Sequence, residues 1–115
     1  MFNYINISVL KNHYKKFKPN GTWFNATEMR FFNTEIYEVC EVYKEKKFLG
    51  CLFITSEIFN GSCGGSEKKY SIRWLKTDGN VETVPEFFHY KTKYKAEKDF
   101  KNYLSQLETT GTIAG

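Results

Sequence analysis

Apolar side chains recur along this chain with two different periods. Near the start, Ile7, Leu10, Tyr14 and Phe17 are spaced as one stripe of a helix, which predicts a helix over about 8–17. The opening residues also read acceptably as a short strand, and Pro19-Asn20-Gly21 ends the helix. Near the end, Ala96, Phe100, Tyr103, Leu104 and Leu107 fall at i, i+4, i+7, i+8 and i+11. They predict an amphipathic helix over 93–107 with Thr92 as its N-cap. At 100° per residue Lys91, Lys95 and Lys98 point away from the apolar face, and Tyr94 flanks them.

Between these helices the period changes. TEIYEVCEVY (34–43) is rich in β-formers, although its Glu spacing of three would also suit a helix; the KEKK that follows has the look of a hairpin turn and favours a strand. FLGCLFITSEIF (48–59) is apolar on both faces, which fits a central strand. NGSCGGSEKK (60–69) reads as a Gly/Ser loop. KYSIRWLK (69–76) alternates, with Tyr70, Ile72 and Trp74 on one face and Ser71, Arg73 and Leu75 on the other. TDGN (77–80) is a hairpin signal, and VETV (81–84) returns as an edge strand limited by Pro85. Ahead of the strands, FNATEMRFF (24–32) holds a helix start. Asn25 caps, Glu28 completes a capping box, and Phe24 with Met29 forms a staple, so a short helix is expected over 26–33.

Short turns between successive strands imply an α+β fold: a three- to four-stranded antiparallel meander, with N-terminal helices and a C-terminal amphipathic helix packed on one face. Residues 1–107 form a single domain in this reading, and 108–115 form a loose tail.

Composition narrows the classes. The chain has 115 residues, 41% hydrophobic and 26% charged, as expected of a globular domain. No apolar run suits a signal peptide or a membrane helix. Cys40, Cys51 and Cys63 make an odd count without a CxxC, so a reducing cytoplasm is expected rather than a disulfide framework. The sequons at Asn6, Asn20, Asn25 and Asn60 then read as cap and turn chemistry. The net charge of +4 is unevenly spread. Residues 1–27 carry four lysines and no acid, and 91–101 carry five lysines against Glu97 and Asp99. The segment 35–45 is acidic through Glu35, Glu38, Glu41 and Glu45.

Catalysis finds little support. His13 and His89 are the histidines, and Cys63 in its Gly loop, approached by His89, is the candidate for a thiol enzyme. Metal-ligand spacing is absent, and no cofactor is expected. In a regular strand Glu35 and Glu41 share a face with Glu38 on the other, which suggests a solvated acidic edge rather than a carboxylate pair. GSCGGS lacks the Lys-Ser/Thr of a phosphate loop. Binding is favoured instead. Lys91, Lys95 and Lys98 with Tyr94 form the candidate surface for nucleic acid, and the Glu series is a candidate acidic patch for a protein partner.

The helix–strands–helix order of 26–107, with KTKYKAEK (91–98) opening the last helix, resembles double-stranded-RNA-binding domains. Their Pro- and His-containing loop is replaced here by KEKK. A second resemblance covers residues 22–104. MRFFN (29–33), FITSE (53–57), KYSIR (69–73), the Asp78-Gly79 hairpin and FHYKTKYKAEKDF (88–100) are similar to small phage and plasmid proteins of low-GC Gram-positive bacteria. That resemblance implies a cytoplasmic, non-catalytic inhibitor of host defence, an anti-CRISPR protein for preference. Its partner would be a CRISPR effector or its guide-RNA complex, with RNA or DNA contacted directly in the alternative, and its state a monomer or small homo-oligomer. Effector channels are basic, so a chain of net positive charge does not suit plain DNA mimicry.

Overall fold

The computed structural model describes residues 2–18, 35–60, 66–84 and 89–111. Its elements are β1 (Phe2–Tyr4), α1 (Ile7–Phe17), β2 (Glu35–Lys44), β3 (Lys47–Asn60), β4 (Ser66–Lys76), β5 (Val81–Val84) and α2 (Lys93–Thr110). The strands form one antiparallel sheet in sequence order, β1-β2-β3-β4-β5. The α+β meander is therefore borne out, with five strands where three or four were expected. The extra strand is β1, the short alternative reading of the opening residues. The expected helix over 26–33, its cap at Asn25 and Cys63 lie outside the described residues.

The helices do not share a face as expected. Cys40, Val42, Leu52, Ile54, Ile72 and Trp74 pack under Ala96, Phe100, Leu104 and Leu107 of α2. The alternate residues Val39, Cys51, Phe53 and Leu75 pack under Leu10 and Tyr14 of α1. The physical reason is β3 itself: residues 51–54 are fully buried whichever way they point, and an apolar strand needs cover on both sides. Each buried Leu, Ile or Phe contributes about 1.5–3 kcal/mol, so leaving either face open would forfeit several such terms.

Local chemistry sets the element ends. Asn6 caps α1 by accepting from Val9 N at 3.0 Å, the cap role expected of its sequon. Ile7, expected on the buried stripe, is exposed, and Ile5 just upstream supplies that contact instead. Thr92 caps α2, and Gly111 ends it in the left-handed conformation, so α2 runs three residues past the expected 107. β4 likewise begins at Ser66, within the stretch read as loop. Two irregularities bend the central strands. Between Tyr37 and Cys40 β2 carries one extra residue, with Glu38 at φ 45°. Between Val42 and Tyr43 the extra residue is on β3, beside Gly50 at φ 136°. A Cβ on Gly50 would lie 2.1 Å from the Leu75 carbonyl oxygen, so glycine is required there.

Candidate nucleic-acid interface

The basic surface is built on α2 and the residues that lead into it. Tyr90 pairs with Tyr70 across an isolated bridge, which anchors the approach to the helix beside β4. Its buried hydroxyl donates to Asp99 at 2.8 Å. Burial, then that hydrogen bond, pushes the Tyr90 hydroxyl far above its ordinary range, so it remains a donor. The start of α2 is thereby tied to both the sheet and its own second turn.

The apolar positions of α2 face the sheet, and the positions between them face outward. Lys91, Lys95 and Lys98 are exposed and line one open cleft of about 380 Å³ with His89, Tyr90 and Asp99. Beside it, Tyr94, Glu97, Lys98, Lys101 and Asn102 line a second concavity of about 300 Å³. The predicted cluster of Lys91, Tyr94, Lys95 and Lys98 is thus brought together, with Lys98 on both clefts. Lys101 and Asn102 were missed by sequence reading, although i, i+4, i+7 and i+8 from Tyr94 is the spacing of one helical stripe.

The nearby acids are occupied. Glu97 meets Lys93 at 3.5 Å, and Asp99 accepts the Tyr90 hydroxyl. No carboxylate among the described residues pairs with Lys91, Lys95, Lys98 or Lys101. His89 is exposed and meets the Tyr90 ring edge-on at 4.7 Å.

The acidic series is not one surface. The bulge at Glu38 inverts the alternation of β2, so Glu35 and Glu41 do not share a face. Glu35 accepts from the Tyr37 hydroxyl and lies 3.9 Å from Lys68, on the α2 side, where Lys93 sits 4.9 Å from the centre of the Tyr37 ring. Glu41 points to the α1 side and meets His13 Nε2 at 2.5 Å. The His13 ring in turn stacks on Phe48 at 4.8 Å. Glu45 occupies the β2–β3 turn at φ 51°.

A second polar cluster is buried on the α1 side of the sheet. Arg73 donates through Nε to Thr55 Oγ1 at 3.1 Å, through Nη1 to Thr83 Oγ1 at 2.6 Å, and through Nη2 to Glu57 Oε1 at 2.8 Å. Thr55 and Ser71 hydroxyls donate to the same carboxylate at 2.7 and 3.3 Å. Glu57 is 1% exposed and Arg73 8%. Among the described residues no buried side-chain nitrogen or oxygen lacks a partner. The cluster is saturated and internal, so it fixes the sheet rather than offering a site.

The two cysteines among the described residues are equally withdrawn. Burial first, and then Glu38, pushes the Cys40 thiol up to about 12. Burial, then Glu41 and Cys40, does the same to Cys51. Both are protonated at neutral pH and shielded from solvent, which makes them poor nucleophiles. Among the described residues no group of His, Cys, Asp and Glu could hold a metal ion, and no helix is long and apolar enough to cross a membrane.

A family model described as a family of unknown function (DUF7447) matches residues 6–101. No curated protein and no solved structure matches the chain. The match covers most of the chain, which therefore belongs to the DUF7447 family.

Proposed function

We propose that this member of the DUF7447 family is a non-catalytic binding protein that holds nucleic-acid phosphates on the outer face of α2. The observation that carries the reading is the disposition of charge. Lys91, Lys95, Lys98 and Lys101 stand together without carboxylate partners among the described residues, while Glu97 and Asp99 are engaged by Lys93 and Tyr90. Ammonium groups left unpaired on a fixed helix gain by displacing the counterions of a phosphate chain. The inhibitory role implied by the resemblance to phage and plasmid proteins is compatible with this surface. In that setting the ridge would meet the guide RNA or target strand of a CRISPR effector. An acidic patch on β2 is the less favoured docking element, since its carboxylates point to different sides of the sheet.

A salt titration tests the reading. With four phosphate contacts, log K should fall with log salt at a slope of about −3 to −4. Replacing Lys91, Lys95 and Lys98 by Gln should flatten that slope by about 2–3 and leave the unfolding midpoint unchanged. Undetectable binding at ~50 mM salt refutes the reading. The inhibitory setting is tested separately, by co-purification with CRISPR effectors loaded with guide RNA. Absence of any complex and of any loss of cleavage across a panel would remove it.

A further inference from the structure

The lysines alone do not account for Tyr94. The residue is 75% exposed, more than Phe2, Tyr4 or Ile7, the other exposed large apolar side chains among the described residues. It makes no ring, cation or hydrogen-bond contact among the described residues, whereas Tyr37, Tyr70 and Tyr90 all do. An aromatic ring held in water on a structured helix leaves its apolar area unburied. Here it lies in the same stripe as Lys98 and Lys101, about 6 and about 10 Å further along the axis at 1.5 Å per residue. Lys91 stands on the other side of it in sequence, at the first cleft. The ring thus lies on the wall of the second concavity, within the row of lysines that lack a carboxylate partner among the described residues.

We infer that this face of α2 takes single-stranded nucleic acid, with Tyr94 as the platform on which an unpaired base stacks. The inference rests on the phosphate-binding reading above and adds the class of ligand. A positive track interleaved with an exposed ring is the arrangement that serves single strands, where backbone charge and base faces are reached together. Asn102, in the concavity beside Tyr94, adds an amide able to donate to and accept from a base edge. A duplex offers neither kind of contact to this ridge as readily. Its bases are stacked inward, and α2, seated on the sheet through Ala96, Phe100, Leu104 and Leu107, presents only its outer half to a groove. Lys95, Lys98 and Lys101 hold the backbone in this arrangement, and Tyr94 distinguishes a strand with bases from a strand of bare phosphates.

The test uses the full chain and fluorescence anisotropy with labelled oligothymidine, an abasic deoxyribose-phosphate chain of equal length, and a duplex, all longer than about 16 nucleotides. Oligothymidine should bind about tenfold tighter than the abasic chain. Tyr94→Ala should remove that preference while Tyr94→Phe retains it, and neither change should move the unfolding midpoint. Equal affinity for oligothymidine and the abasic chain overturns the inference but leaves phosphate binding standing. So does a preference for oligothymidine that survives in Tyr94→Ala, or a duplex bound tighter than the single strand. Failure of all three probes to bind at ~50 mM salt refutes phosphate binding itself, and the inference with it.

Discussion

Removing the buried Arg73 guanidinium should be among the most destabilising single changes in the molecule, and the structure says why. In Arg73→Met the apolar stem is retained and three donated hydrogen bonds are lost, to Thr55, Thr83 and Glu57. Bonds that involve a charged group are worth about 1.5–3 kcal/mol each. Glu57, 1% exposed, is left with only hydroxyl donors, Thr55 and Ser71, against its charge. Breaking one side of such a pair costs about 3–5 kcal/mol, a large share of the ~5–15 kcal/mol that holds a small domain together. Removing both sides should be milder. Glu57→Leu with Arg73→Met leaves no buried charge in this cluster among the described residues, only hydroxyls short of partners, and should cost about 1–3 kcal/mol. Urea denaturation at neutral pH reads this directly as a shift of midpoint at constant slope. Additive effects in the double variant, or a loss below about 1 kcal/mol in Arg73→Met, would refute the claim that these groups act as one buried unit.

Other expectations follow from backbone geometry and from the thiols. Glu45 and Lys46 both adopt positive φ in the two-residue β2–β3 turn, so Lys46→Gly should stabilise by about 1 kcal/mol, seen as a raised urea midpoint. Gly50→Ala should destabilise by about 3 kcal/mol or more, since its Cβ has no room beside Leu75; a soluble variant of unchanged midpoint would contradict the register. Cys40 and Cys51, raised from 9.0 to about 12 in the folded state, add stability below the unfolded thiol range that is lost as pH rises toward 12. Stability should therefore fall between about pH 9 and 12 by up to ~1.4 kcal/mol per pH unit per thiol, and Cys40→Ala with Cys51→Ala should flatten that limb in denaturation series at stepped pH.

Much of the fold was legible because each element repeats one period long enough to be read. α2 shows its stripe over four turns, and Tyr70, Ile72 and Trp74 alternate with Ser71, Arg73 and Leu75 as expected. The bulge at Glu38 was not legible. It is a backbone event at a residue with no glycine or proline to announce it, and it turns Glu41 to the side opposite Glu35. The buried network was hidden for a different reason. Ser71 and Arg73 alternate with Tyr70, Ile72 and Trp74, and Thr55-Ser56-Glu57 is a short polar run, which is also how solvated strand positions look. Only the pairing of Thr55 with Ser71 and of Glu57 with Lys69 shows that Arg73 lies close enough to reach the carboxylate. Thr55, Glu57, Ser71 and Arg73 come from FITSE and KYSIR, two of the strings that carry the resemblance to phage and plasmid proteins. Their role here is internal, so that part of the likeness speaks for the sheet and not for a shared target.

The separation of duties across the sheet makes the functional reading testable without ambiguity. The charged network and the His13–Glu41 contact lie on the α1 side, and every residue proposed to touch nucleic acid lies on α2 or just before it, on the other side. α2 is held by Ala96, Phe100, Leu104 and Leu107, none of which reaches the clefts. Lys95, Lys98, Lys101 and Tyr94 therefore carry no packing that the fold needs. A solvated face can afford lysines anywhere, and that alone would explain their presence. It does not explain why Glu97 and Asp99 beside them are engaged by Lys93 and Tyr90 while these three lysines, with Lys91, stand around an exposed ring with no carboxylate partner among the described residues. Substitutions there should alter binding and leave unfolding untouched, and substitutions in the network should do the reverse. A change in α2's outer face that lowered stability as much as binding would show that the lysines serve the fold after all.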